Sequence, residues 1–145
     1  MIPAISNRPS CFPPTVVLID GHKADREYWK HRLTISSPEY VVLESDTAAS
    51  GLAICQSQRV DCVITELELP DTSGFEVLVK LVPRAYRPSV AVIILTRLNL
   101  EMLPELAKKN GAQAYLIKSQ ISGDDLDRTI RKAIAAVGTT NSKTS

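Results

Sequence analysis

Apolar positions along the chain alternate between two patterns. Short runs rich in β-branched residues at Thr15–Asp20, Tyr40–Glu44, Asp61–Glu66, Val90–Thr96 and Ala114–Lys118 predict five strands. Val16-Val17-Leu18-Ile19 and Val90-Ala91-Val92-Ile93-Ile94-Leu95 are continuous rather than alternating. Such runs suit strands covered on both faces, as in a parallel sheet. Between the strands, apolar residues recur at helical spacing. Ala24–Ile35 is polar, with Trp29 and Leu33 on one stripe. Thr47–Gln58 places Ala49, Leu52, Ala53 and Cys55 toward a core, with Thr47 or Asp46 as cap. Ser73–Val82 opens on a cap residue and stops before Pro83. In the last helix Leu126, Ile130, Ala133, Ile134 and Val137 form one apolar stripe. Ser122 precedes Asp125 by three, a capping-box-like start, and Gly138 is placed to stop the helix.

The fourth helix has two readings. Asn99 caps it, with a kink at Pro104, or it begins late with Pro104 in its first turn. Gly111 ends it in either case. Five strand–helix units in this order predict an α/β fold with a doubly wound, five-stranded parallel sheet, strand order 2-1-3-4-5. The site is expected at the carboxyl ends of strands 1, 3 and 4.

Composition narrows the function. A chain of 145 residues, 44% apolar and 23% charged, fits one globular domain. A net charge of +1 argues against nucleic acid or an anionic membrane as direct partner. No apolar run approaches the roughly 18 residues of a membrane span. Residues 1–14 are rich in proline and polar residues and read as a flexible arm without signal-peptide character. Residues 139–145 read as a disordered tail or linker. Cys11, Cys55 and Cys62 lack metal-ligand spacing, and the latter two read as small buried hydrophobes in a reducing cytoplasm. No Gly-x-Ser-x-Gly elbow is present, which removes one hydrolase class. The segment Asp20-Gly21-His22-Lys23-Ala24-Asp25 is too acidic, with too little glycine, for a phosphate-cradling loop.

The chemistry centres on strand ends. Glu66 closes Cys62-Val63-Ile64-Thr65 and stands four residues before Pro70. Asp20 closes the first strand, Thr96 follows Glu66 by thirty residues, and Lys118 follows Thr96 by twenty-two. Tyr115 lies three residues before that lysine. With Pro70-Asp71-Thr72-Ser73-Gly74-Phe75 and Gly111-Ala112-Gln113-Ala114-Tyr115-Leu116-Ile117-Lys118, this ordered set resembles the receiver domain of bacterial response regulators over residues 15–137. The resemblance implies a (βα)5 flavodoxin-like domain at residues 15–138. It puts Glu66 at the phosphoacceptor position, Thr96 and Lys118 as the hydroxyl and cation that steady a phosphoryl group, and Thr96 with Tyr115 as the switch pair. It makes Asp20, Glu66 and the backbone of Glu68 the metal contacts.

Four positions depart from the family pattern. Glu66 replaces aspartate, which moves the carboxylate by up to ~1.5 Å. An error of about 1 Å can cost on the order of a hundredfold in rate. Gly21 replaces the second acidic residue, so Mg²⁺ is expected to bind weakly or not at all. Arg97 replaces a small residue and is expected to cover the pocket and pair with Glu66. Ser119 replaces proline, which disfavours a cis peptide there.

The resemblance thus implies a signalling module rather than an enzyme. It is a cytoplasmic, atypical receiver of a two-component phosphorelay, independent of phosphorylation or mimicking it through Glu66. Its expected partners are a histidine kinase or other signalling protein. A homodimer through helix 4, strand 5 and helix 5 is also expected, on the mixed charges of Glu101, Glu105, Lys108, Lys109, Asp124, Asp127, Arg128, Arg131 and Lys132. The alternative is a residual phosphoacceptor that phosphorylates itself from a histidine kinase or small phosphodonor through a neighbouring carboxylate.

Overall fold

The computed structural model describes residues 13–85 and 88–144, with side chains to residue 138. The expected N-terminal arm lies almost wholly outside the described residues. The strands are β1 (Thr15–Ile19), β2 (Val41–Ser45), β3 (Cys62–Thr65), β4 (Ala91–Thr96) and β5 (Ala114–Ile117). The helices are α1 (Lys23–Ser36), α2 (Ala48–Ser57), α3 (Gly74–Leu81), α4 (Leu103–Lys109) and α5 (Gly123–Thr144), and a 3₁₀ turn spans Lys118–Gln120. The sheet is parallel, in the expected order β2-β1-β3-β4-β5.

The continuous apolar runs serve two cores. Successive strand residues point to opposite faces, so a run without polar interruption fills both. Val16, Leu18, Cys62, Ile64, Ile93 and Leu95 face α1 and α5, against Trp29, Leu33, Leu126 and Ile130. Val17, Ile19, Val63, Val92 and Ile94 face the other way, against Ala48, Val77, Leu78 and Ala107. Among the described residues no helix is long and apolar enough to cross a membrane.

Helix starts follow local chemistry. Thr47 Oγ1 accepts from the Ser50 N–H at 3.1 Å and caps α2. Ser73 Oγ accepts from the Phe75 N–H at 3.1 Å and caps α3. Ser122 and Asp125 exchange a reciprocal pair at 2.9 and 3.1 Å, so the capping box forms as expected. Of the two readings of the fourth helix, the late start holds: α4 begins at Leu103, with Pro104 in the first turn where a missing N–H costs nothing. Gly111 follows α4 at φ +102, and a Cβ there would meet Val82 Cγ1 at 2.6 Å.

Two helix expectations are corrected. α5 passes Gly138 and runs to Thr144, so Gly138 does not stop it and residues 139–144 continue the helix. Among the described residues the one positive φ belongs to Gly111, so Gly138 adopts ordinary helical backbone instead of the left-handed conformation that ends helices. In α2 the buried positions are Ala48 and Gly51, while Ala49 and Ala53 are exposed. The close approach of Gly51 to Ile19 turns this face inward, because a Cβ on Gly51 would lie 2.3 Å from Ile19 Cδ1.

Candidate functional site

The parallel register carries the strand ends to one rim. The Asp20 N–H donates to the Ser45 carbonyl at 2.9 Å and the Glu66 N–H to the Ile19 carbonyl at 2.9 Å, so the ladder runs one step past the strands and sets both carboxylates side by side. Asp20, Glu66 and Thr96 are almost fully buried, at 1%, 2% and 0% exposure. The Lys118 side chain, at 8%, closes the group from the end of β5.

Lys118 is the hub. Its Nζ lies 2.7 Å from Asp20 Oδ2, 2.8 Å from Asp25 Oδ2 and 2.9 Å from Glu66 Oε1. An ammonium has three N–H donors, and here each meets a different carboxylate. Glu66 Oε2 accepts from the Thr96 hydroxyl, from the Leu67 N–H at 2.7 Å and from the Glu68 N–H at 3.3 Å. Asp20 Oδ1 accepts from the His22 N–H at 2.9 Å. Thr96 Oγ1 in turn accepts from the Leu98 N–H at 3.2 Å, and the Leu98 carbonyl accepts from the Tyr115 hydroxyl at 2.8 Å. Glu66, Thr96, Leu98 and Tyr115 therefore form one connected polar path.

All four strand-end residues singled out in the sequence converge, but one member was missed. Asp25 sits in the first turn of α1, and the sequence marks it only as one of the acids in the Asp20–Asp25 segment. Its one signal was position: a carboxylate at the start of the helix that follows a site strand. Arg97 also departs from expectation. It pairs with Asp25, at 3.0 Å from Nε and 3.1 Å from the second nitrogen, and not with Glu66. The two-point pairing suits a planar guanidinium. A cavity of about 410 Å³ opens beside this pair, lined by Asp25, Tyr28, Trp29, Arg97, Lys118 and Ser119.

Charges in the cluster hold one another. Burial alone would raise the Glu66 carboxyl, but the Thr96 hydroxyl and the Lys118 ammonium outweigh it and keep it below the ordinary range. Partial burial also opposes Asp25, yet hydrogen bonds from Arg97 and Lys118 hold it at about 2. Burial works against the Lys118 ammonium, while Asp20, Asp25 and Glu66 raise its pKa on balance. Both carboxyls titrate lower in the fold than in the unfolded chain. Their stabilisation is full above the unfolded value of about 4 and is lost as pH falls through the folded values. The urea midpoint is therefore expected to drop between pH ~4 and ~2. Asp25→Asn should flatten that decline in denaturation curves measured across the same range.

Three of the α5 charges expected on the α4–β5–α5 surface are drawn elsewhere. Asp124, Asp127 and Arg131 are engaged at the junction of α1 and β2: Ser36 Oγ donates to Asp124 at 2.9 Å, Ser37 Oγ donates to Asp127 at 2.9 Å, and Arg131 reaches Glu39 at 3.0 Å. On α4 and its approach, Glu101, Glu105, Lys108 and Lys109 stand exposed as expected, and Leu100, Met102 and Leu106 are exposed among them.

The sequence profile of the response regulator receiver domain family matches residues 16–131. The chain belongs to this family. The receiver is 29% identical over 123 residues to the nitrate/nitrite response regulator protein NarL of Escherichia coli strain K12, across 85% of this chain and 56% of NarL. It is 26% identical over 120 residues to protein PilH of Pseudomonas aeruginosa, across 83% of this chain and 97% of PilH. A response regulator receiver domain protein from Clostridium thermocellum superposes with a TM-score of 0.73 at 31% identity, over 85% of this chain and 95% of that chain. The chain thus spans little more than half of NarL and nearly all of PilH. Receiver domains are two-component signalling modules that interact with histidine kinases and other signalling proteins.

Proposed function

We propose that this receiver signals through protein contacts, with Glu66 as a built-in negative charge rather than as a phosphoryl acceptor. The observation that carries this reading is the saturation of the Glu66 carboxylate. It is ionised, nearly inaccessible, and held by Thr96, Lys118 and two backbone amides. A nucleophile must be free to meet phosphorus in line, and this one has its oxygens committed elsewhere. The same contacts engage Thr96 and, through Leu98, Tyr115. A fixed charge therefore acts where the family places its switch pair. The mimicry is partial, because a phosphoryl group brings more charge and three acceptor oxygens.

Cytoplasmic residence, a kinase or other signalling partner, and a homodimer through α4, β5 and α5 complete the reading. The exposed Leu100, Met102 and Leu106 suit such a contact. The second reading, transfer to a neighbouring carboxylate, draws on Asp20 and Asp25 lying beside Glu66 on the same ammonium. Incubation with acetyl phosphate and Mg²⁺, followed by intact-mass measurement, separates the two. The wild type is expected to stay unmodified, run beside Glu66→Asp. A one-phosphoryl increment on the wild type would overturn the proposal and point to residual acceptor chemistry.

A further inference from the structure

The resemblance places a divalent metal among these carboxylates, and the residues of this chain do not fit one. Mg²⁺ wants near-octahedral oxygen ligation at about 2.0–2.1 Å. The side-chain oxygens of Asp20 and Glu66 are already taken. Asp20 Oδ2 and Glu66 Oε1 hold Lys118, while Asp20 Oδ1 and Glu66 Oε2 accept backbone N–H groups and the Thr96 hydroxyl. Among the described residues no group of three or more His, Cys, Asp or Glu is arranged to hold a metal ion.

The geometry also bars the missing ligand. A Cβ on Gly21 would lie 2.9 Å from both Cδ and Cγ of Pro70, so a carboxylate there requires the proline ring to move. That ring is not free to drift. The next residue, Asp71, accepts from the Ala48 and Ala49 N–H groups at 2.9 Å each and pins the loop after β3 to the start of α2.

We propose that the buried ammonium of Lys118 is the permanent cation of this site and occupies the place that a divalent metal takes in the family. The proposal deepens the contact-based reading above. Asp25 is the specific adaptation. It gives the ammonium a third carboxylate in place of the ligand lost at position 21, and it draws Arg97 over the mouth. Three carboxylates against two cations leave one net negative charge, balanced closely enough to persist without an added ion. Displacing Lys118 would strand a nine-tenths buried ammonium, which is costly.

Removal of the ammonium without refilling its place should convert the cage into a metal site. The test is thermal unfolding and tryptophan emission of the wild type, Lys118→Met and Lys118→Arg, in chelator and then in magnesium or calcium chloride. Trp29 is the sole tryptophan and lines the adjoining cavity, so its emission reads the site directly. The wild type and Lys118→Arg are expected to show no change. Lys118→Met should gain about 3 °C or more in Tm on adding either cation. A gain of that size in the wild type overturns the proposal, as does a folded Lys118→Met indifferent to both cations. A Lys118→Met that folds only with a cation present supports it. If that variant is unfolded throughout, the wild-type titration decides alone, a metal-induced shift refuting the resident cation and its absence upholding it. The titration involves no partner and no phosphoryl group, so its failure leaves the contact-based reading standing, and failure of that reading leaves this result intact.

Discussion

Replacing Lys118 with methionine is expected to lower the unfolding free energy by about 3–5 kcal/mol, read as a fall in the urea midpoint at unchanged slope. Methionine matches the length of the stem and ends one atom short of the ammonium, so the loss isolates the charge. Without the ammonium, Asp20 and Glu66 remain buried as neighbouring anions, with Asp25 close by. Like charges in a buried setting disfavour joint ionisation, so at least one carboxyl should take up a proton. The variant's stability should therefore rise as pH is lowered toward the carboxylate range, against the trend expected of the wild type. A midpoint within error of the wild type at neutral pH would show that the cluster is solvated and the ammonium dispensable.

Ile130→Ala is expected to cost about 2–5 kcal/mol, because its side chain is fully buried between α5 and the sheet and the surrounding core can collapse only in part. Met102→Ala, by contrast, should leave the urea midpoint within about 0.5 kcal/mol, since Met102 is 81% exposed. The pair separates two uses of apolar surface. Ile130 holds the fold together, whereas Met102, with Leu100 and Leu106, is available for contact with another protein. Equal losses from the two substitutions would mean that the α4 surface is part of the folded core.

The order and type of the elements were legible because side-chain period is a local property. Continuous runs such as Val90–Leu95 announce strands covered on both faces, and Ser122 with Asp125 announces a helix start. Asp20, Glu66, Thr96 and Lys118 could be placed together from sequence, because a parallel sheet carries every strand's carboxyl end to the same rim. What lay outside reach was how helices seat on that sheet. Asp25 joins the site, and diverts Arg97 from Glu66, because α1 packs with its first turn above Lys118. Asp124, Asp127 and Arg131 leave the α4 side because α5 packs against α1. Ala48 and Gly51 turn inward because the backbone of α2 approaches Ile19. Helix placement is decided by contacts between residues far apart in the chain, and no local pattern encodes it. The sequence determined the sheet, its acidic rim and the lysine beside it; tertiary packing alone decided that Asp25 joins them and that Arg97 covers the group.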